Sequence, residues 1–164
     1  SQLLVMALKG VPAFYLPALL ASENDIKSFS MTGQRRDLNR EKFKSENLLA
    51  VLNNPESNAN KNLKYLRNAM DVRSELKQFH PRSEMKCLSK GRSDIVVIKR
   101  SKGPESVFAI HNMTENKINY QLNDNDLPKI IDNDFNTQDF LTSTKYNWKN
   151  ISLDPFQVIW LSAL

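Results

Sequence analysis

Gly10-Val11-Pro12-Ala13-Phe14-Tyr15-Leu16 is the stretch on which the reading of this chain turns. Before it, Leu3, Leu4, Val5, Met6 and Leu8 are apolar on every side, as expected of an element buried all round or packed against a sheet. Gly10 ends that run. Ala13 to Leu16 reads as a short strand with both faces buried, the pattern of a parallel sheet, and Pro17 restarts a helical turn through Ala21. One such strand cannot form a sheet alone. Its unpaired edges predict self-association.

Downstream, Ser22 to Asn39 is polar and aperiodic and reads as a long loop, a common carrier of function. Ser45 is a candidate cap for a helix through Leu48, Leu49 and Leu52 that ends near Asn53-Asn54-Pro55. Asn58 or Asn60 then caps the longest helix, in which Leu63, Leu66, Met70, Arg73, Leu76 and Phe79 recur three or four apart. Lys61, Lys64, Arg67, Asp71 and Lys77 are left toward solvent. His80-Pro81-Arg82-Ser83 stops the winding, because proline disfavours helix in the residue before it.

Beyond it the apolar residues come in short β-branched and aromatic runs. Strands are expected at Met85 to Leu88, Asp94 to Lys99, Ser106 to His111, Lys117 to Leu122, Lys129 to Ile131, Phe140 to Ser143 and Phe156 to Ser162. Lys90-Gly91-Arg92-Ser93, Lys102-Gly103-Pro104-Glu105 and Met113-Thr114-Glu115-Asn116 supply the turns. Ile95 to Ile98 and Val107 to Ile110 are apolar throughout, so those strands should bury both faces, one against an opposing sheet and one against the helical half. The fold class is α+β, with an antiparallel β-sandwich after the helical segment.

Composition narrows the function. Of 164 residues, 40% are hydrophobic and 25% charged, which excludes a disordered chain. The net charge of +5 makes nucleic acid a candidate partner. Its densest stretch, Arg35, Arg36, Arg40, Lys42 and Lys44, is interrupted by Asp37, Glu41 and Glu46, which argues against a nucleic-acid groove. The apolar start is too short to span a bilayer, so no membrane partner is expected. It opens without a cap or turn residue, as an internal start in a longer protein would. One cysteine, Cys87, and two histidines, His80 and His111, leave no disulfide and no metal site to expect and suit a reducing cytoplasm. Asn112-Met113-Thr114 and Asn150-Ile151-Ser152 read as accidental sequons. Trp148, Trp160, Tyr120 and Tyr146 could form a sugar-binding face, although Trp160 sits in an apolar run and reads as core.

Three stretches carry a family resemblance: Gly10 to Tyr15, Gly33-Gln34-Arg35-Arg36-Asp37-Leu38-Asn39-Arg40, and Pro155-Phe156-Gln157-Val158-Ile159-Trp160-Leu161. In this order they resemble the C-terminal end of sucrose phosphorylase and the related glucosylglycerate phosphorylases, in the α-amylase superfamily (glycoside hydrolase family 13). The resemblance implies that residues 1–83 close a catalytic (β/α)8 barrel, and that 84–164 form a C-terminal β-sandwich domain. Loops after barrel strands build the active face. By the same resemblance, Arg36 binds the glucosyl ring beside the scissile bond, paired with an aspartate from an earlier strand. A planar guanidinium suits sugar hydroxyls and carboxylates alike.

Read without the resemblance, Arg36 is a surface arginine pairing with Asp37, Glu41 or a helix end. Asp37, Asn39 and Arg40 read as scaffolding of the loop, while the resemblance, through the family's loop after the eighth strand, implies that Asn24 and Asp25 lie near the acceptor side. The chemistry implied is retaining double displacement on an α-glucoside, which needs two carboxyl groups about 5 Å apart. The family places them on strands upstream of this sequence. No catalytic residue and no cofactor is therefore expected here, with inorganic phosphate as a co-substrate of the parent enzyme and the remainder of the barrel as partner. The alternative is a non-catalytic carbohydrate-binding or accessory β-sandwich module.

Overall fold

A computed structural model describes residues 2–39, 42–89, 91–123, 125 and 136–163. The architecture is mixed, with helices leading and antiparallel sheet following. Compactness divides it into two units, Ala13–Ala69 and a second made of Leu3–Pro12 with Met70–Leu164.

In the second unit, strands β1 (Glu84–Cys87), β2 (Ile95–Lys102), β3 (Glu105–Asn112) and β8 (Val158–Ala163) form one antiparallel sheet in the order β1-β2-β3-β8. Eight residue pairs run from Ile95↔Asn112 to Lys102↔Glu105. The connection is therefore a two-residue hairpin, Gly103-Pro104. Gly103 adopts φ +62°, which the twist of a tight hairpin requires at its first loop position. Two-stranded ladders pair β4 (Ile118–Tyr120) with β7 (Ile151–Leu153), and β5 (Asn136–Gln138) with β6 (Lys145–Asn147).

Period-two alternation gives the sheet two unlike faces. One carries Ile95, Val97, Phe108, Ile110, Ile159 and Leu161, which join Leu122, Trp148, Ile151 and Leu153 in a single apolar core. On the other, Ile98, Ala109 and Trp160 stand in register, with Arg100 beside Val107. Phe79, from the 3-10 turn η2 (Lys77–Phe79), lies 4.7 Å from the Trp160 ring. Arg100 is 0% exposed and has no carboxylate partner among the described residues. Its guanidinium instead donates to the carbonyls of Ala7 (3.1 Å), Leu8 (2.7 Å), His80 (2.9 Å) and Glu84 (3.3 Å). Arg73 donates to those of Met6 (2.9 Å), Gly10 (3.0 Å) and Phe79 (3.1 Å). Both cations also lie within 6 Å of the Phe79 ring. Helix α1 (Gln2–Ala7) thus has its orphan C-terminal carbonyls satisfied by side chains.

Several expectations need correction. Helix α1 buries Leu3, Met6 and Ala7 but exposes Val5, and Leu8 just beyond its end is exposed too, so the helix is one-faced. Residues 13–16 form no strand: Tyr15 is extended at φ −91°, ψ 134°, but nothing among the described residues pairs with it, and Tyr15 and Leu16 are about half exposed. Burial on both faces needs neighbouring strands. Ser22 to Asn39 is not one loop, because it holds helix α3 (Ile26–Thr32) and a 3-10 turn η1 (Arg35–Asn39). Lys44, without a side-chain bond, occupies the cap of α4 (Ser45–Asn53), and Ser57 rather than Asn58 or Asn60 caps α5 (Asn58–Glu75) by accepting from the Asn60 N–H at 3.1 Å. Phe140 to Ser143 is a turn wrapped on the buried Asp139 carboxylate, which accepts from Leu141 N–H, Thr142 Oγ1 and Trp160 N–H. The strand expected at Lys129 to Ile131 lies outside the described residues.

Two measurements test this packing. Arg100→Met should destabilise the protein to urea by roughly 3 kcal/mol or more, because it orphans buried carbonyls, and Arg100→Lys should not restore it. His111 is 2% exposed on β3, and burial lowers its pKa from 6.5 to about 4. The folded state refuses a proton that the unfolded state accepts. Its contribution is therefore complete above pH 6.5 and lost as pH falls toward 4, by roughly 3 kcal/mol. His111→Leu should flatten that slope in unfolding titrations.

Candidate functional site

The expected site residues fall in the Ala13–Ala69 unit, where short polar contacts rather than a core set the backbone. Helix α2 (Leu16–Leu19) starts at a proline-assisted turn and gives way to Ala21 at φ 51°. Asp25 then caps α3. Its carboxylate accepts from the Ser28 N–H at 2.9 Å and the Ser28 hydroxyl at 2.6 Å. Those two bonds lower the Asp25 pKa below 3.8, with smaller help from the charges of Lys27 and Lys42. Gly33, at φ 65°, ends the helix in the left-handed conformation and donates to the Phe29 carbonyl.

This αL exit turns the chain into η1, which carries Arg36, Asp37 and Asn39. The two segments are tied twice. The Asp25 N–H donates to the Leu38 carbonyl at 2.8 Å, and Thr32 Oγ1 donates to the Asp37 carboxylate. Asp37 and Asp25 are thus scaffolding by their bonds. Asn24 accepts from the Ile26 N–H through its carbonyl, while Asn39 is exposed. Arg40 lies outside the described residues.

Arg36 is different. Its side chain is 65% exposed, and its Nε stands 3.9 Å from Asp37, a carboxylate already engaged by Thr32. The guanidinium therefore has donors to spare for an incoming acceptor. Asn24 and Asp25, with Glu23, Ile26, Lys27, Ser28 and Lys42, line an open concavity of about 710 Å³. Arg36 lies on η1 outside that lining.

Sequence reading missed Ser28, Thr32 and the two lysines. The Asp25-x-x-Ser28 spacing was the available signal, since a cap residue meets the backbone three positions on. Among the other candidates, Trp148 and Trp160 are both buried, so neither offers a sugar-stacking face. The His80 Nδ1 accepts from the Arg82 N–H at 3.2 Å. Among the described residues no group of His, Cys, Asp and Glu could hold a metal, and no helix is long and apolar enough to cross a membrane.

Comparison with known proteins agrees with the motif resemblance. The chain is 27% identical over 161 residues, 98% of its length, to a glucosylglycerate phosphorylase of Allomeiothermus silvanus, and covers 26% of that protein. Against the glucosylglycerate phosphorylase of Escherichia coli it is 22% identical, covering 98% of this chain and 27% of that one. The chain thus spans about a quarter of the length of these curated relatives, and such coverage fits a C-terminal portion. No protein-family model matches it. Among solved structures, the trehalose-6-phosphate hydrolase of Bacillus licheniformis aligns with 99% of this chain and 38% of its own, at TM-score 0.69 and 16% identity. An Anoxybacillus α-amylase aligns with 98% of this chain and 30% of its own, at TM-score 0.67 and 15% identity. These likenesses establish the fold as one found in α-amylase-type enzymes.

Asp25→Ala should raise amide exchange across residues 26–32 while leaving the sheet strands protected. Because the Asp25 pKa is depressed, the cap is complete above pH 3.8 and is lost as pH falls through the folded-state value. The same amides should therefore lose protection in strong acid.

Proposed function

We propose that this chain is the C-terminal part of an α-glucosyl transferring enzyme of the sucrose phosphorylase type, acting by retaining double displacement. It contributes Arg36 to the glucosyl-binding subsite. The observation that carries the reading is the exposed Arg36 guanidinium, held on a capped and cross-tied turn and, among the described residues, paired only with Asp37 at 3.9 Å. The likeness to glucosylglycerate phosphorylases along 98% of the chain supports the same assignment.

In this reading residues 1–83 end the catalytic barrel and 84–164 form its C-terminal sandwich. The stretch at 13–15 gains ladder partners only in the complete barrel, and an isolated chain self-associates through the same unpaired backbone. Inorganic phosphate is a co-substrate of the whole enzyme, no cofactor is needed, and the cytoplasm is the compartment. The ring's hydroxyls accept from the guanidinium fork, which fixes the ring in the orientation that attack at the anomeric carbon requires. Asn24, Asp25, Asp37 and Asn39, with Arg40, support the loop.

In the intact enzyme, Arg36→Ala should cut kcat/KM for the α-glucoside by about 100-fold or more with an unchanged circular dichroism spectrum. Arg36→Lys should recover little of it, because an ammonium cannot reproduce the planar fork. Wild-type turnover by Arg36→Ala would remove the arginine from the subsite.

A further inference from the structure

Phe156 combines two features that stability alone disfavours: it is 65% exposed, and its φ of +54° puts a bulky side chain in the left-handed region. Such conformations persist only where the surroundings over-determine them, and they cluster at ligand-binding positions. Here the surroundings do so. The Phe156 N–H donates to the Thr114 carbonyl at 3.0 Å, and the Gln157 N–H donates to the Asp154 carbonyl at 3.1 Å. Gln157 also accepts from the Asp154 N–H at 2.8 Å through its side chain, which donates in turn to the Tyr146 hydroxyl at 2.8 Å.

Asn112, itself 2% exposed, stitches the two neighbouring loops together. Its carboxamide donates to the Asn116 carbonyl at 2.7 Å and the Asp154 carbonyl at 2.8 Å, and accepts from the Thr114 N–H and hydroxyl, both at 2.9 Å. The ring is therefore displayed by a rigid frame. Around that frame lie polar groups near the surface: Lys117 and Asp154, paired at 3.2 Å with both side chains more than 60% exposed, and the Asn116 and Thr114 backbone turn.

We propose that Phe156 is the stacking platform of a second carbohydrate site, remote in sequence from Arg36 and independent of the catalytic assignment. Lys117 and Asp154 supply hydrogen bonds to the hydroxyls of one pyranose ring. The apolar face of a hexopyranose matches one aromatic ring, while its equatorial hydroxyls match a surrounding carboxylate and ammonium. A protein partner fits less well, because a specific interface needs about 800 Å² per side around an apolar centre. From β1 to the C-terminal strand, the exposed large apolar residues besides Phe156 among the described residues are Met85 and Met113.

Titrating the chain with maltotriose, followed by amide shifts and calorimetry, tests the site. Saturable binding at millimolar affinity is expected, with shifts centred on residues 114–117 and 154–157. Phe156→Ala should weaken it at least tenfold. Phe156→Gly, which the left-handed backbone accepts without strain, should do the same in a well-folded protein, and Phe156→Trp should retain or tighten it. Binding that survives both Phe156→Ala and Phe156→Gly, no saturable binding by the wild type, or a Phe156-dependent dimer in sedimentation would each overturn the proposal. Loss of Arg36 should leave this titration unchanged, which separates it from the catalytic reading.

Discussion

The Arg100 guanidinium, dry and without a carboxylate, is the constraint around which the sheet-bearing unit is arranged. Four backbone carbonyls from three separate places, the end of α1, the turn at His80 and the start of β1, converge on it. Burial lowers its pKa, and the nearby positive charge of Arg73 lowers it further, yet an arginine keeps its proton under such pressure where a lysine would not. The carbonyls in turn would be orphaned at a helix end and in turns without a multidentate donor. Each side of the interaction solves the other's desolvation problem, so position and chemistry are fixed together.

That cluster explains why one sheet can have two different kinds of interior. Toward β4 and β7 the core is hydrocarbon and aromatic, with Phe108 and Trp148 meeting edge-on at 5.2 Å. Toward α1 the same strands bury a cation, an aromatic pair and the neutral His111. The Ala13–Ala69 unit has no comparable interior of its own: Leu20, Ala59, Leu66 and Ala69 are its buried apolar residues, whereas Ile26, Met31 and Leu49 are each at least 60% exposed. Local capping, not burial, holds its loops.

What could be read in the sequence was whatever depends on short range. The Gly103-Pro104 hairpin, the solvent face of α5 with Lys61, Lys64, Arg67 and Asp71, and the central runs of β2 and β3 announce themselves through local spacing, whereas Lys77 lies beyond the helix in η2. Val96 stayed half-buried where full burial was expected, because alternation places it near the end of its strand. Phe140-Leu141 mimicked a strand until a buried Asp139 claimed its backbone, and β6 and β7 are three-residue strands with too little sequence to show a period. Of the site, Arg36 was reached through resemblance, while the loosening of its pair with Asp37 depends on Thr32 engaging the same carboxylate, a contact across five positions that no periodicity encodes. Arg100 was illegible for a similar reason. Its acceptors are backbone atoms up to 93 residues away, and any residue can provide a carbonyl.

The carboxylates in this chain also limit what it can do. A retaining glucosyl transfer needs a nucleophile and an acid–base partner with free oxygens. Asp139 is fully buried, but its oxygens are consumed by two backbone N–H groups and a hydroxyl, and it holds β5 to β8. Asp25 is spent on Ser28, and Asp37 is shared between Thr32 and Arg36. Each has been turned into a structural acceptor. A cation with uncommitted donors can bind and orient a sugar but cannot attack it.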